Sequence, residues 1–183
     1  MVIALGLLCV LAVVIVSYYN KFVSLDNSAK EAFSGMDVQL KRRYDLIPNL
    51  VETVKGYASH EQETFTKVVE ARRFAMGLES TDAAKKAMAE NGLTACLKTL
   101  FAIAENYPEL KANQNFLELQ SSLSQIEEAI QNARRFYNAV VKDYNILCET
   151  FPSVIVAKIF NFAKKSYFDI SQSERENVQV SFK

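Results

Sequence analysis

From Leu25 onward the apolar positions recur in steps of three and four: Leu25, Ala29, Ala32, Met36, Leu40, Tyr44, Ile47, Val51, Val54 and Ala58. That spacing is the stripe of an amphipathic helix. Pro48 falls inside it and removes a backbone donor to the Tyr44 carbonyl, yet the stripe keeps phase on both sides, which predicts a kinked helix and not a loop. Near Gly56 the pattern relaxes. Ser59 followed by Gln62 reads as a capping box for a second helix reaching about Met76. The stretch GLESTD (77–82) predicts a turn, with Ser80 or Thr81 capping a third helix whose apolar residues include Ala84, Met88, Leu97, Leu100 and Phe101, and Tyr107 with Pro108 stops it.

The most regular pattern follows Asn113. Phe116, Leu119, Leu123, Ile126, Ile130, Ala133, Tyr137, Val140, Tyr144, Leu147 and Phe151 alternate steps of three and four, as in a coiled-coil seam. A helix from Gln114 to Thr150 is predicted, ending before Pro152 and matching the first helix closely enough in length to pair with it antiparallel. The organisation expected is therefore an anchor at 1–21, a helical bundle at 22–151, an aromatic and basic amphipathic segment at 152–170 and a polar tail at 171–183. If the four helices alternate in direction, Ile159, Phe160, Phe162, Lys164, Lys165 and Phe168 return toward the bilayer.

The anchor rests on the first nineteen residues, MVIALGLLCVLAVVIVSYY, which carry no charge. As a helix, Val2 to Tyr19 would extend about 27 Å, enough to cross a bilayer core. A cleaved signal peptide needs a basic start and a small-residue cleavage site, both missing, and LGLLC lacks the small residues of a lipoprotein signal before Cys9. Tyr18, Tyr19 and Phe22 stand where an aromatic belt belongs. Lys21, Lys30, Lys41, Arg42 and Arg43 all follow the apolar run, which predicts a short N-terminus outside and a cytoplasmic domain on a single-pass inner-membrane protein.

Composition narrows the rest. Five glycines and three prolines in 183 residues, half of them hydrophobic, lack the turn punctuation of a β protein, so an all-α chain is expected. Basic and acidic residues balance at 21 each, which argues against a nucleic-acid partner. Cys96 and Cys148 have no motif spacing and read as reduced, partly buried thiols. His60 is the one histidine, so no Glu-x-x-His pair or HExxH motif can form, and the chain carries no phosphate-binding glycine loop or G-x-S-x-G elbow. Glu127 and Glu128 are helix neighbours whose side chains diverge. No catalytic, cofactor or metal residue is predicted, and the protein is expected not to be an enzyme.

Six of the seven arginines come as neighbours on predicted helices: Arg42 with Arg43, Arg72 with Arg73, and Arg134 with Arg135. The plain reading makes them flank charges over the seam. The sharper one makes them contacts between subunits, with Lys41, Arg42, Arg43 and Asp45 of KRRYDLIPNL facing a partner. Lys41 to Arg43 lie about 33 Å beyond Tyr19 along a straight helix, too far to sense the membrane surface through salt. Tyr137-Asn138 and Tyr144-Asn145 repeat seven residues apart, which places the tyrosines in the core and offers either asparagine as a register-setting polar group.

These stretches resemble the LemA family: YNKFV, DVQLKRRYDLIPNLVETVKGYASHE, EARRFA, ENYPELKANQNFLELQ, ARRFYNAVVKDYN and FPSVIVAKIFNFAKKSYF, in that order and over nearly the whole chain. Phe33 and Gly35 depart from the family, which often carries Trp and a larger residue there. The resemblance implies a four-helix up-and-down bundle on one membrane helix and supplies no catalytic residues. In the family this chain resembles, some relatives are associated with magnetosome membranes, and others look like genomic neighbours of membrane proteases or TPM-domain proteins. The function expected is a membrane-anchored, non-enzymatic scaffold that self-associates, with an adaptor for a membrane protease or signalling partner as the alternative. Membrane lipid, further copies of the chain and another membrane protein are the partners in view.

Overall fold

In a computed structural model, which describes residues 1–78 and 82–169, the protein is all-helical. Among the described residues six helices follow one another: α1 (Val2–Lys55), α2 (Gln62–Gly77), α3 (Ala83–Ala104), the single turn α4 (Pro108–Lys111), α5 (Gln114–Glu149) and α6 (Ser153–Ile159). They form two compact units. One contains Met1–Met36 and Ala133–Tyr167; the other contains Asp37–Asn132 with Phe168 and Asp169.

In the Asp37–Asn132 unit the predicted stripe holds. Leu40, Ile47 and Val54 are fully enclosed and Tyr44 and Val51 nearly so, while Pro48 sits within the helix with its ring exposed. The α1 helix ends at Lys55, where the Tyr57 and Ala58 amides both turn back to the Val54 carbonyl. Gln62 does reach back to residue 59, but its side-chain amide donates to the Ser59 carbonyl at 2.8 Å, and Glu61 precedes α2 without a side-chain cap. Ser80, Thr81 and the polar tail at 171–183 lie outside the described residues. Asp82 caps α3, its carboxylate accepting from the Lys85 amide at 3.1 Å.

Direction alternates through this unit. The Arg72 guanidinium of α2 reaches the Tyr44 carbonyl of α1, and Lys86 of α3 reaches carbonyls near the end of α2. Asn113, just before α5, donates to the Tyr57 hydroxyl beyond the end of α1, while Glu127 lies beside Arg43. Rising numbers on α5 thus meet falling numbers on α1, which is the up-and-down order the resemblance implies. Met88 was expected inside and is 74% exposed. Ala87 and Leu93 face inward in its place, because the α3 stripe runs Ala83, Ala87, Glu90, Leu93, Leu97, Leu100 and Ala104.

The other unit joins the first part of α1 to the second part of α5. Phe22, Tyr144, Leu147, Val156 and Ala157 make its core, with Ile15, Tyr18, Leu25, Cys148 and Phe162 packed at the edges. Phe33, one of the two departures from the family pattern, is buried edge-on against Tyr137 with ring centroids 5.4 Å apart. Along α5 the seam drifts: Val141 is fully buried and Val140 only partly. A straight helix of 3.6 residues per turn does not hold a strict 3.5-residue repeat. Phe151, placed on that seam by spacing, is 81% exposed because α5 ends at Glu149.

Beyond α6 the chain reverses through a helix-ending motif. Asn161 takes the left-handed conformation at φ 56°, and the Phe162 amide bonds back to the Ala157 carbonyl at 2.9 Å. Asparagine is the non-glycine residue best suited to that position. The turn sends Phe162 back onto α1.

Candidate functional site

KRRYDLIPNL divides by depth. Lys41 is exposed and pairs with Asp45 one turn on, at 2.7 Å, and exposed Arg42 donates to Gln39 at 2.9 Å. Arg43, expected to face a partner, is 2% exposed. One terminal nitrogen donates to Glu90 of α3; the other donates to Glu127 of α5 at 2.7 Å and to the Thr94 hydroxyl at 3.2 Å. The Tyr44 hydroxyl donates to the other oxygen of Glu90. Three helices are thus tied by one guanidinium, whose Nε is the buried side-chain polar atom left without a partner among the described residues.

The local electrostatics follow from this pairing. Burial would lower the pKa of Arg43, but the carboxylates of Glu90 and Glu127 outweigh it and hold the group above its ordinary value. Burial pushes the Tyr44 phenol up, and the Glu90 charge and hydrogen bond push it further, so the hydroxyl stays a donor. Lys86 completes the cluster: its buried ammonium donates to the Ala75 and Leu78 carbonyls at 3.1 and 3.3 Å, with Asp37 at 3.6 Å. Those carbonyls close the C-terminal end of α2, where cations are favoured.

Arg72 answers the question Pro48 raises. Pro48 has no N–H to give the Tyr44 carbonyl one turn back, and the Arg72 Nε donates to that carbonyl at 2.7 Å. A predicted contact residue is therefore half-buried and repairs the helix. Arg73 is exposed beside Phe74, which is 63% exposed; Arg134 is half-buried and Arg135 exposed beside Phe136, which is 61% exposed.

In the Met1–Met36 and Ala133–Tyr167 unit, the predicted interfacial trio also splits by depth. Tyr18 is half-buried, Tyr19 is exposed, and Phe22 is fully enclosed. Phe22 stacks on Phe162 with centroids 4.6 Å apart and meets Tyr144 edge-on at 5.7 Å. Tyr19 contacts Phe160 at 4.9 Å and Phe162 at 5.7 Å. The segment after α6 is then fastened along α5. Asn145 donates from Nδ2 to the Lys165 carbonyl at 3.0 Å and accepts from the Lys165 amide at 2.9 Å. The Tyr137 hydroxyl donates to the Ser166 carbonyl at 3.0 Å. Asn145 thus captures an irregular stretch of backbone, where the sequence suggested a register between helices.

Lys165 also pairs with Asp26 at 2.6 Å, and Lys30 pairs with the same carboxylate at 2.7 Å. Burial opposes ionisation of Asp26, but these two lysines outweigh it and hold the carboxyl below its usual range. The Lys165 ammonium lies 5.0 Å from the Tyr144 ring centre, and burial pushes that phenol up to about 12. Sequence reasoning missed Glu90, Lys86 and the role of Asn145. The signal for Glu90 was its place in the α3 stripe, three residues before Leu93.

Comparison with known proteins identifies the family. The family model described as LemA family matches residues 32–182. Magnetosome protein MamQ of Magnetospirillum gryphiswaldense is 26% identical over 179 residues, with 82% of this chain and 64% of that protein covered. Protein LemA of Metamycoplasma hominis is 26% identical over 167 residues, covering 88% of this chain and 74% of the relative. The chain thus spans just under two thirds of the length of the magnetosome relative.

Proposed function

The chain belongs to the LemA family, and from that premise we propose that it is a membrane-anchored, non-enzymatic helical scaffold whose copies associate side by side to organise or shape membrane. The observation that carries this reading is the pair of exposed phenylalanines, Phe74 and Phe136, each directly after two arginines on a bundle helix. An aromatic side chain of that size gains most from burial against another surface, and arginine is the cation best suited to flank such a contact. The clustered ionisable groups, in contrast, are already engaged with one another: Arg43 with Glu90 and Glu127, Lys41 with Asp45, Asp26 with Lys165. Repetition of such a contact around a symmetry axis would generate a ring or array.

Among the described residues, one helix is long and apolar enough to cross a membrane, and its apolar window is unburied by protein. The anchor reading takes Val2–Tyr19 as the span, with the short N-terminus outside and the bundle in the cytoplasm, as the lysines and arginines following the span favour. A photocrosslinking residue placed at Phe74, and separately at Phe136, tests the association in native membranes. Adducts between copies of the chain are expected. One dominant adduct to a different protein would replace the scaffold with an adaptor, and no adduct at either position would remove the basis for both.

A further inference from the structure

The face of α6 that the core does not use is unlike that of an ordinary surface helix. Ser153, Val156 and Ala157 point inward, while Phe151, Ile155, Ile159 and Phe160 are 81%, 49%, 59% and 44% exposed. Ile155 and Ile159 fall one helical turn apart on α6 and form a row, with exposed Phe151 and Phe160 flanking the two ends of the helix. The helix therefore shows an apolar row to its surroundings with Lys158 as its one charged residue. An uncovered row of this size invites a partner.

Its position says which one. The core that α6 completes also receives Ile15 and Tyr18 of α1, and Phe160 rests on Tyr19. Those α1 residues close the uncharged run, and Lys21 is the first charge after it. The outer row of α6 thus stands beside the point at which α1 passes from apolar to polar sequence. Residues 151–168 hold no acidic residue; Lys164 and Lys165 pair with Glu149 and Asp26, and Lys158 is the exposed cation of α6 itself. Aromatic rings, branched aliphatics and a lysine at one level are what an anionic membrane surface accommodates.

We propose that the outward face of α6 with its flanking residues, 151–160, is a second membrane contact that seats in the headgroup layer of an anionic bilayer beside α1. The proposal rests on the reading of α1 as the anchor and is independent of self-association. Phe151, Ile155 and Ile159 enter the boundary between headgroups and acyl chains, and Lys158 meets the phosphates. The Asn161 turn and the Phe162–Phe22 stack hold the row at that level.

The chain has no tryptophan, so a single introduced one is a clean probe. Ile159→Trp and, separately, Ile155→Trp replace exposed side chains and leave the core intact. The full chain is reconstituted in vesicles of phosphatidylcholine and phosphatidylglycerol, with bromine on the upper acyl positions of the lipid. Blue-shifted emission and at least twofold quenching by the brominated lipid are expected, with less quenching when Lys158→Glu is added. Water-like emission without quenching would overturn the proposal, as would a blue shift without quenching, which means that protein covers the row. Val10→Trp reports the anchor in the same vesicles. If Val10→Trp is quenched and the α6 probes are not, the anchor stands and this surface falls; if none is quenched, both fall.

Discussion

The two units hold themselves together by different means. The Asp37–Asn132 unit sets an ionic cluster into its apolar core, with Arg43 tied to Glu90 and Glu127 and Lys86 set on the end of α2. The core of the Met1–Met36 and Ala133–Tyr167 unit is aromatic, with Phe22 between Tyr144 and Phe162, and a side-chain amide grips an irregular stretch of backbone. Apolar packing tolerates rearrangement, whereas a buried guanidinium accepts only partners placed to receive its fork. The ionic cluster is therefore a device for selecting one arrangement of helices, and the aromatic one a device for fastening the segment after α6 to α1.

That contrast is broken most severely at Arg43. Arg43→Leu leaves Glu90 buried beside Tyr44 without its cation, and a loss of about 3–5 kcal/mol is expected in denaturant unfolding of detergent-solubilised protein. Replacing Arg43, Tyr44 and Glu90 together by Met, Phe and Leu should recover most of that stability, because the uncompensated charge is gone. If the triple variant is as unstable as the single one, the cluster supplies stability and not selection.

Asn145→Ala strikes the other unit. It leaves the Lys165 amide and carbonyl unpaired at about 1–3 kcal/mol each, less whatever water recovers. Hydrogen exchange at residues 163–167 should accelerate while the amides around Arg43 keep their protection. Equal acceleration in both units would erase the distinction. Within the ionic unit, Arg72→Ala is expected to cost about 1.5–3 kcal/mol by exposing the freed Tyr44 carbonyl. In a Pro48→Ala background the same change should cost much less, since the alanine brings a backbone N–H that can donate to that carbonyl itself. Equal costs in the two backgrounds would mean that Arg72 acts elsewhere.

Alkali tests the aromatic unit through Tyr144. Folded Tyr144 keeps its proton to about 12, whereas the unfolded phenol titrates near 10.0, so the folded state binds more protons between those values. Its contribution is complete below about pH 10 and is lost as pH rises through that window. Tyr144→Phe should flatten the corresponding slope of stability against pH. The smallest effect is expected at Gly35, where an added Cβ meets nothing within 4 Å. Gly35→Ala should stabilise α1 by about 0.5–1 kcal/mol, read as a rise in Tm.

Much of this molecule is legible along the chain, for physical reasons. The α1 stripe from Ala29 to Ala58 is buried at every predicted position, because its spacing is a local property of a helix. Arg43 escaped because its partners lie far away in sequence, and a run of three basic residues looks like a solvated edge. Its place on the stripe, three after Leu40 and four before Ile47, was the available clue. The Arg72–Tyr44 bond needed a second helix to fall across Pro48, which no single-helix pattern encodes. Asn145 was noticed as a polar residue on the seam, but its partner is irregular backbone that carries no periodicity.

Self-association is the centre of the functional account, and the subunit count of the full chain in lipid tests it most directly. Single-particle mass measurement in native-lipid nanodiscs is expected to give a uniform assembly of several copies, reduced toward one copy by Phe74→Glu with Phe136→Glu. A single copy per particle for the unaltered chain across protein concentration and salt would contradict it.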